Sequence, residues 1–378
     1  VANELLKNGK AWKCYFSQDE LDKIRKENGG YTLPRKAELL AKYTPNEKTE
    51  FTVRIEAPTE GATTVKDEVQ GEVTMQNSEL DDFVILRSDG SPTYMLSVVV
   101  DDHDMGVTNV IRGDDHLNNT FRQNVIYDAM GWEKPVYAHV PLILGPDGAK
   151  MSKRHGAASV EEYRKMGYLP EAMRNYLLRL GWSHGDDEII SDAQAKEWFN
   201  LENIGKSAAR FDFDKLENLN SHYINEAETD RLISEAAEFY KENHNVVISE
   251  EAKQKIKACE DELKSRAKTL LQFADESAFF AKQIPLSFDE KAQNLLDDDG
   301  KEALKHLNER LKELEEFTAE NIQGTVKSLS KEIRNGKMGK VAMPLRAALT
   351  GTTVSPSVFH VAEILGKEET CLRIQSVL

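Results

Sequence analysis

Cysteine is scarce in this chain of 378 residues: only Cys14, Cys259 and Cys371. They are odd in number, far apart, and form no Cys-x-x-Cys pair, which leaves a disulfide framework, a zinc ribbon and a thioredoxin-like motif all unsupported. Free thiols in a reducing cytoplasm are the expectation. Long apolar runs are scarce too. Candidates such as Tyr94–Val100 are strand-sized, far short of the ~20 residues that span a bilayer. The N-terminus lacks the charged-then-apolar pattern of a secretory leader. Neither export nor a membrane partner is therefore expected. Positive charge is in deficit, with 49 Lys and Arg against 65 Asp and Glu and a net charge of −16. Taken alone, that balance argues against a nucleic-acid binder, because phosphate contacts need cations.

The charge is unevenly spread, however. Between Gly324 and Arg346 stand Lys327, Lys331, Arg334, Lys337, Lys340 and Arg346, opposed only by Glu332. An acidic protein can bind RNA through such a patch while its remaining surface repels misplaced backbone. Apolar residues make up 40% of the chain, enough for sizeable cores. The length predicts about two to four domains.

Local patterns divide the chain into a mixed α/β part and a helical part. Val1–Lys7 reads as a helix and Ala11–Phe16 as a strand. Ser17 with Glu20 forms a capping box for the next helix. Phe51–Ile55 and Gly71–Met75 have strand character. Phe83–Arg87 and Thr93–Val100 read as two strands around the Asp89-Gly90 turn. Within the second, Ser97–Val100 is expected to be covered on both faces. Val107–Ile111, a helix over His116–Met130 and a strand over Val136–Leu144 predict a parallel sheet. After Gly156 the pattern is helical almost throughout. Ser191 and Gln194 form a second capping-box candidate. Leu304, Leu307, Leu311 and Leu314 mark the core face of an amphipathic helix, and the stretch Asp297-Asp298-Asp299-Gly300 reads as a solvated loop.

The most specific chemical signal is Gly145–Ala157, GPDGAKMSKRHGA. It is a glycine-rich cationic loop following an apolar strand. Such backbone can wrap phosphates while Lys150, Lys153 and Arg154 neutralise them. From the residues alone, a solvated basic loop stays open. Lys150–Arg154 (KMSKR) and its continuation into His155-Gly156-Ala157 resemble the signature of class I aminoacyl-tRNA synthetases, glutamyl and glutaminyl branch. The stretch Ser88–Gln123, containing SDGSPTYMLSVVVDDHDMGVTNVIRGDDHLNNTFRQ, resembles the active-site half of bacterial glutamyl-tRNA synthetases. Gly339–Gly351 (GKVAMPLRAALTG), with Val354–Val358 and Leu365-Gly366-Lys367, resembles their last helical domain.

The resemblance implies a multidomain fold, α/β plus all-α. A partial Rossmann-type parallel sheet core would carry an inserted acceptor-binding module, followed by helical stem-contact and helical anticodon-binding domains. The expected divisions are 1–92 for the inserted module, 93–147 for the second half of the catalytic core, and 148–232 for the signature loop and stem-contact domain. Two anticodon-binding parts would follow at 233–284 and 285–378. The implied activity is ATP-dependent ligation of L-glutamate to its tRNA through a glutamyl-adenylate. ATP would bring Mg²⁺ with it, and no covalent enzyme intermediate is required. Lys153 would be the catalytic charge on the α-phosphate. Leu142, Ile143, Lys150, Met151, Ser152, Lys153, Arg154 and His116 would bind ATP, with backbone groups of Leu142 and Ile143 reading adenine. Tyr94 would line the glutamate pocket and Arg112 would pair with the substrate's side-chain carboxylate, a geometry to which a guanidinium is suited. Read without the resemblance, an ion pair of Arg112 with Asp114 or Asp115 stays open. Asp115, Arg266, Arg346, Ser355, Pro356 and Val358 would contact tRNA. Partners would be the glutamate tRNA, with the glutamine tRNA an open second acceptor, for a monomeric protein.

Two departures qualify this reading. The family's HIGH-type motif and the arginine before it match nothing here and are placed upstream of Val1. The chain is therefore expected to bind tRNA without activating glutamate, and a non-catalytic tRNA-binding protein is the alternative. Some relatives hold zinc with a Cys-x-Cys in the inserted module; Cys14-Tyr15-Phe16 offers one cysteine, so no bound zinc is expected. The acidic and histidine residues around Asp101–Asp104 and Asp114–His116 could suit a hard cation, but the resemblance assigns no protein-held metal there.

Overall fold

The computed structural model describes residues 1–30, 33–46, 50–152 and 159–378. These form two compact units. The first comprises 1–151, 178–188 and 193–211, and the second comprises 152–177, 189–192 and 212–378.

The first unit is mixed α/β. Helix α1 (Ala2–Lys7) precedes β1 (Ala11–Cys14), α2 (Gln18–Glu27), α3 (Lys36–Lys42) and β2 (Thr52–Ile55). Then come β3 (Ala62–Asp67), β4 (Gly71–Gln76), β5 (Val84–Leu86), α4 (Tyr94–Asp104), β6 (Asn109–Gly113), α5 (Leu117–Met130) and β7 (Val136–Val140). One sheet is antiparallel in the order β1-β2-β5; the other runs β4-β3-β7-β6. In the second sheet β3, β7 and β6 are parallel and β4 is an antiparallel edge. This sheet joins strands on both sides of the division expected at residue 92. A shared core packs Ile55, Ile85, Leu96, Val99, Phe121, Ile126 and Tyr137.

Local chemistry explains most of these elements. The Ser17–Glu20 capping box is formed, with the Ser17 amide donating to Glu20 Oε2 at 2.7 Å. Gly131 ends α5 in the left-handed conformation, φ 68°, which glycine adopts without steric cost. The expectation at Thr93–Val100 is corrected. Tyr94–Asp104 is a helix, not a strand. Its buried residues Leu96 and Val99 lie three apart, on one helical face against α5 and β5. A short valine-rich run has no decisive period, and tertiary packing overrides its β propensity. Strand β3 has no counterpart among the sequence-derived elements.

The second unit is helical. Its core gathers Leu169, Leu232, Tyr240, Leu263, Phe273, Leu345 and Val361 with Leu304, Leu307 and Leu311, the expected apolar face. Arg373 is fully buried and donates to the carbonyls of Leu349 and Phe279 and to Glu369. Lys255 also reaches Glu369, at 2.6 Å. The Asp297–Gly300 stretch is a helix start rather than a solvated loop. Asp297 caps the Asp298–Glu313 helix by accepting from the Gly300 amide at 2.8 Å. Asp298 and Asp299 then face the positive end of the helix dipole.

The joint between β3 and β7 is narrow. Their only backbone register pair is Asp67 with Tyr137. The Asp67 side chain extends the connection by accepting from the His139 amide, 3.1 Å to each oxygen, and from His139 Nδ1 at 2.6 Å. Val69 and Gln70 amides complete its partners at 3.0 and 2.8 Å. Burial alone would raise the Asp67 pKa, but these hydrogen bonds, led by Gln70, hold it below its ordinary value. Burial also lowers the pKa of His139, against the pull of Asp67.

Both shifts leave the folded state binding fewer protons than the unfolded chain. Stability from this pair is therefore complete above the ordinary histidine value of 6.5. It is lost first as pH falls through the histidine window, and again below the carboxylate value of 3.8. We predict that melting temperature falls between pH 7.5 and 5.5, and falls less in His139→Gln; identical slopes would contradict the assignment. Two helical glycines give a second test. A Cβ on Gly300 would lie 2.1 Å from the Leu295 carbonyl oxygen, whereas one on Gly324 meets nothing within 4 Å. Gly300→Ala should destabilise by about 2 kcal/mol or more through overpacking. Gly324→Ala should stabilise by about 0.5–1 kcal/mol. Denaturant melts of the two variants check both signs.

Candidate substrate and tRNA sites

In the first unit, parallel pairing places Arg112 on β6 beside His139 on β7. Arg112 is half-buried. Its Nε donates to His139 Nε2 at 3.0 Å. Its Nη2 donates to Thr120 Oγ1 and Gln123 Oε1, each at 2.8 Å, and more weakly to the His116 carbonyl at 3.4 Å. No carboxylate among the described residues forms an ion pair with it, so neither Asp114 nor Asp115 takes that role. Nη1 carries no hydrogen bond to a described residue. A cation held by neutral acceptors on one edge, with its other edge unengaged, is suited to an anionic ligand.

Tyr94 opens α4 and is 44% exposed. Its ring lies 6.1 Å from that of His116, whose Nδ1 contacts Asn119 at 3.1 Å. His116 thus links Tyr94 and Arg112, its ring near Tyr94 and its carbonyl near Arg112. Asp115, expected at tRNA, pairs with Lys150 at 2.8 Å; that hydrogen bond leads the causes holding the Asp115 pKa low.

The strand after Val140 turns into a tight loop. Ile143 accepts the Met151 amide at 3.0 Å, and Gly145 exchanges bonds with Ala149 and Gly148. Gly148 has φ 79°. Leu142 and Ile143 are half-buried, and the Ile143 carbonyl is already engaged by Met151. Lys150 and Met151 close this loop. Ser152 follows in the second unit. Lys153 and Arg154 lie outside the described residues.

Sequence reasoning missed His139, Asp67, Thr120, Gln123 and Arg210. His139 is fully buried within an otherwise apolar strand, which was the legible signal. Arg210 is exposed, and its Nη2 would lie 3.3 Å from a Cβ on Gly148. It therefore adds a cation to the loop.

In the second unit, Lys327, Lys331, Lys337 and Lys340 are exposed, with no ion-pair partner among the described residues. Arg334 is tied to Glu302 and Asp299, and Glu332 to Arg310. Arg346 is half-buried with its Nε unpartnered. Burial, and then the nearby Arg266, lower its pKa. Arg266 itself pairs with Glu276 at 2.7 Å. The structure departs from expectation at Ser355, Pro356 and Val358, which are buried. Ser355 bonds the Pro356 carbonyl and Val358 starts a core helix, so these side chains pack rather than face solvent. Glu262 anchors the segment, accepting from the Ser357 amide at 2.6 Å and His360 Nδ1 at 2.7 Å. Cys259, Glu262 and His360 present potential metal ligands within 4.8 Å of one another. Glu262 and His360 already satisfy each other there, and burial raises the Cys259 thiol to about 12, disfavouring the thiolate that would bind a metal. Among the described residues, no helix is long and apolar enough to cross a membrane.

Known proteins resemble this chain along its whole length. Residues 1–218 match the family described as tRNA synthetases class I (E and Q), catalytic domain, and residues 214–378 match an anticodon binding domain. A protein of Paramagnetospirillum magneticum named glutamate–tRNA ligase 2 is 50% identical over 100% of this chain and 80% of its own length. A protein of the same name from Rhodospirillum centenum is 51% identical over 99% of the chain and 81% of its length. The crystal structure of a glutamate tRNA ligase from Elizabethkingia meningosepticum, in complex with its amino acid, superposes with a TM-score of 0.80 at 31% identity. It covers 99% of this chain and 80% of that one. From the catalytic-domain match, the anticodon-domain match and this likeness over its length, the chain belongs to the class I tRNA synthetases (E and Q).

Proposed function

We propose that this protein ligates L-glutamate to tRNA at the expense of ATP, through a glutamyl-adenylate. The observation that carries the reading is Arg112, a half-buried guanidinium next to the His116 carbonyl with no described carboxylate as ion-pair partner. In this reading Arg112 receives the substrate's side-chain carboxylate through Nη1. Neutral glutamine would leave that charge unpaired. The α-carboxylate of glutamate attacks the α-phosphorus of ATP, and pyrophosphate leaves. A terminal ribose hydroxyl of tRNA then attacks the acyl carbon, and AMP leaves. Mg²⁺ arrives with ATP. Lys153 supplies positive charge where negative charge develops on the phosphate, and Lys150, three positions before it in sequence, pairs with Asp115.

The tRNA reading rests on the four unpaired lysines and on Arg346, whose buried Nε lacks a partner. Arg346 would contact a loop base and Arg266 would lie beside it, with the lysines on phosphates. Ser355, Pro356 and Val358 would then shape the floor of this surface from beneath.

Glutamate-dependent pyrophosphate exchange in the full-length enzyme tests the first half. Lys153→Ala should lower exchange by ~10²–10³ while sparing tRNA binding. Arg112→Ala should raise the glutamate KM and erode discrimination against glutamine. Unchanged exchange or unchanged discrimination removes the respective residue from the mechanism. For the second half, tRNA affinity should fall as salt rises. Arg346→Ala should weaken the glutamate acceptor more than unrelated tRNAs; equal weakening would reduce Arg346 to a phosphate contact.

A further inference from the structure

Behind Arg112 lies a buried chain of hydrogen bonds with one permitted proton arrangement. An ionised Asp67 has no proton to donate, so the 2.6 Å contact requires the proton on His139 Nδ1. The Arg112 Nε–H can only donate, so the 3.0 Å contact requires a lone pair on His139 Nε2. Both conditions are met by a single species, the neutral Nδ1–H tautomer. Thr120 fits the same scheme, contacting Nε2 at 3.2 Å and accepting from Arg112 Nη2 at 2.8 Å. Asp67 and His139 have fully buried side chains. Bulk solvent does not reach them, and a wrong tautomer would set donor against donor.

We propose that Asp67 and His139 are positioning residues that set side-chain specificity through Arg112. This rests on the reading of Arg112 as the glutamate partner. The arrangement separates orientation from charge. A carboxylate in direct contact with Arg112 would orient it equally well but would neutralise it. The neutral imidazole transmits the anchor of Asp67 while leaving the guanidinium charge for the substrate. It also occupies the Nε edge, so Nη1 is the edge offered. A buried carboxylate that fixes a histidine tautomer is a known means of aiming the group that the histidine touches.

Two substitutions at one position separate the contacts. His139→Asn keeps an amide near Asp67 and removes the acceptor for Arg112. His139→Gln can place its Oε1 where Nε2 stands and retain that acceptor. Both are made in the full-length enzyme beside Arg112→Ala, with melting curves to check folding. Pyrophosphate exchange is measured against glutamate, glutamine and ATP. His139→Asn should raise the glutamate KM about tenfold or more, the effect of orphaning one buried donor. It should reduce discrimination against glutamine, and leave the ATP KM unchanged. His139→Gln should recover most of both losses. An unchanged glutamate KM in His139→Asn overturns the proposal, as does equal impairment of the two variants or a parallel rise in the ATP KM. Should His139→Asn fail to fold, a His139→Gln enzyme with full discrimination still supports the proposal, and one without it overturns it. An Arg112→Ala enzyme with normal glutamate KM would instead refute the reading of Arg112 itself.

Discussion

The Asp67 carboxylate accepts four N–H groups where β3 and β7 share a single backbone register pair. That concentration of bonds fixes the junction between the β3–β4 hairpin and the parallel strands. Hydrogen bonds to a buried charge are strong when complete and costly when broken. His139 is held by its backbone amide and its ring together, so its imidazole has little freedom. Arg112, the register neighbour of His139, inherits that rigidity. The orientation of the Arg112 guanidinium is thus a consequence of how two strands are joined.

Elsewhere the same logic uses different chemistry. Arg373 plays the buried anchoring role in the helical unit, donating to carbonyls where helices end, with Glu369 as counter-charge. Glu262 holds the Ser357–His360 segment in place. Each anchor is complete within its own unit. Arg112 at Nη1, Arg346 at Nε and the exposed lysines Lys327, Lys331, Lys337 and Lys340 are cationic groups with hydrogen-bonding capacity that no described residue engages.

Much of this was legible in the sequence. The capping box at Ser17, the Gly131 stop, the leucine face of Leu304, Leu307 and Leu311, and the parallel pairing of β6 with β7 follow from local rules with strong periods or specific turn residues. The motifs around Arg112 and Lys150 pointed to the family. The misreadings have physical causes. Tyr94–Val100 is too short and too uniformly apolar to reveal its period, so packing against α5 decided for helix. The Asp297–Gly300 run looks solvated by composition, yet an aspartate cap and a close carbonyl make it a helix start. Burial of Ser355, Pro356 and Val358 depends on contacts distant in sequence. The Asp67–His139 pair is separated by 72 positions and becomes visible only when the strands are adjacent, although a histidine inside the apolar β7 run marked one half of it.

The proposed task of the neutral His139 is to aim Arg112 at a substrate carboxylate. A high-resolution crystal structure of the full-length enzyme with L-glutamate bound tests it most directly. The expected result is a side-chain carboxylate about 2.7–2.9 Å from Arg112 Nη1, with the Nε contact to His139 and the Nδ1 contact to Asp67 both intact. A side-chain carboxylate bound away from Arg112, or an Arg112 that leaves His139 to meet it, would contradict the account.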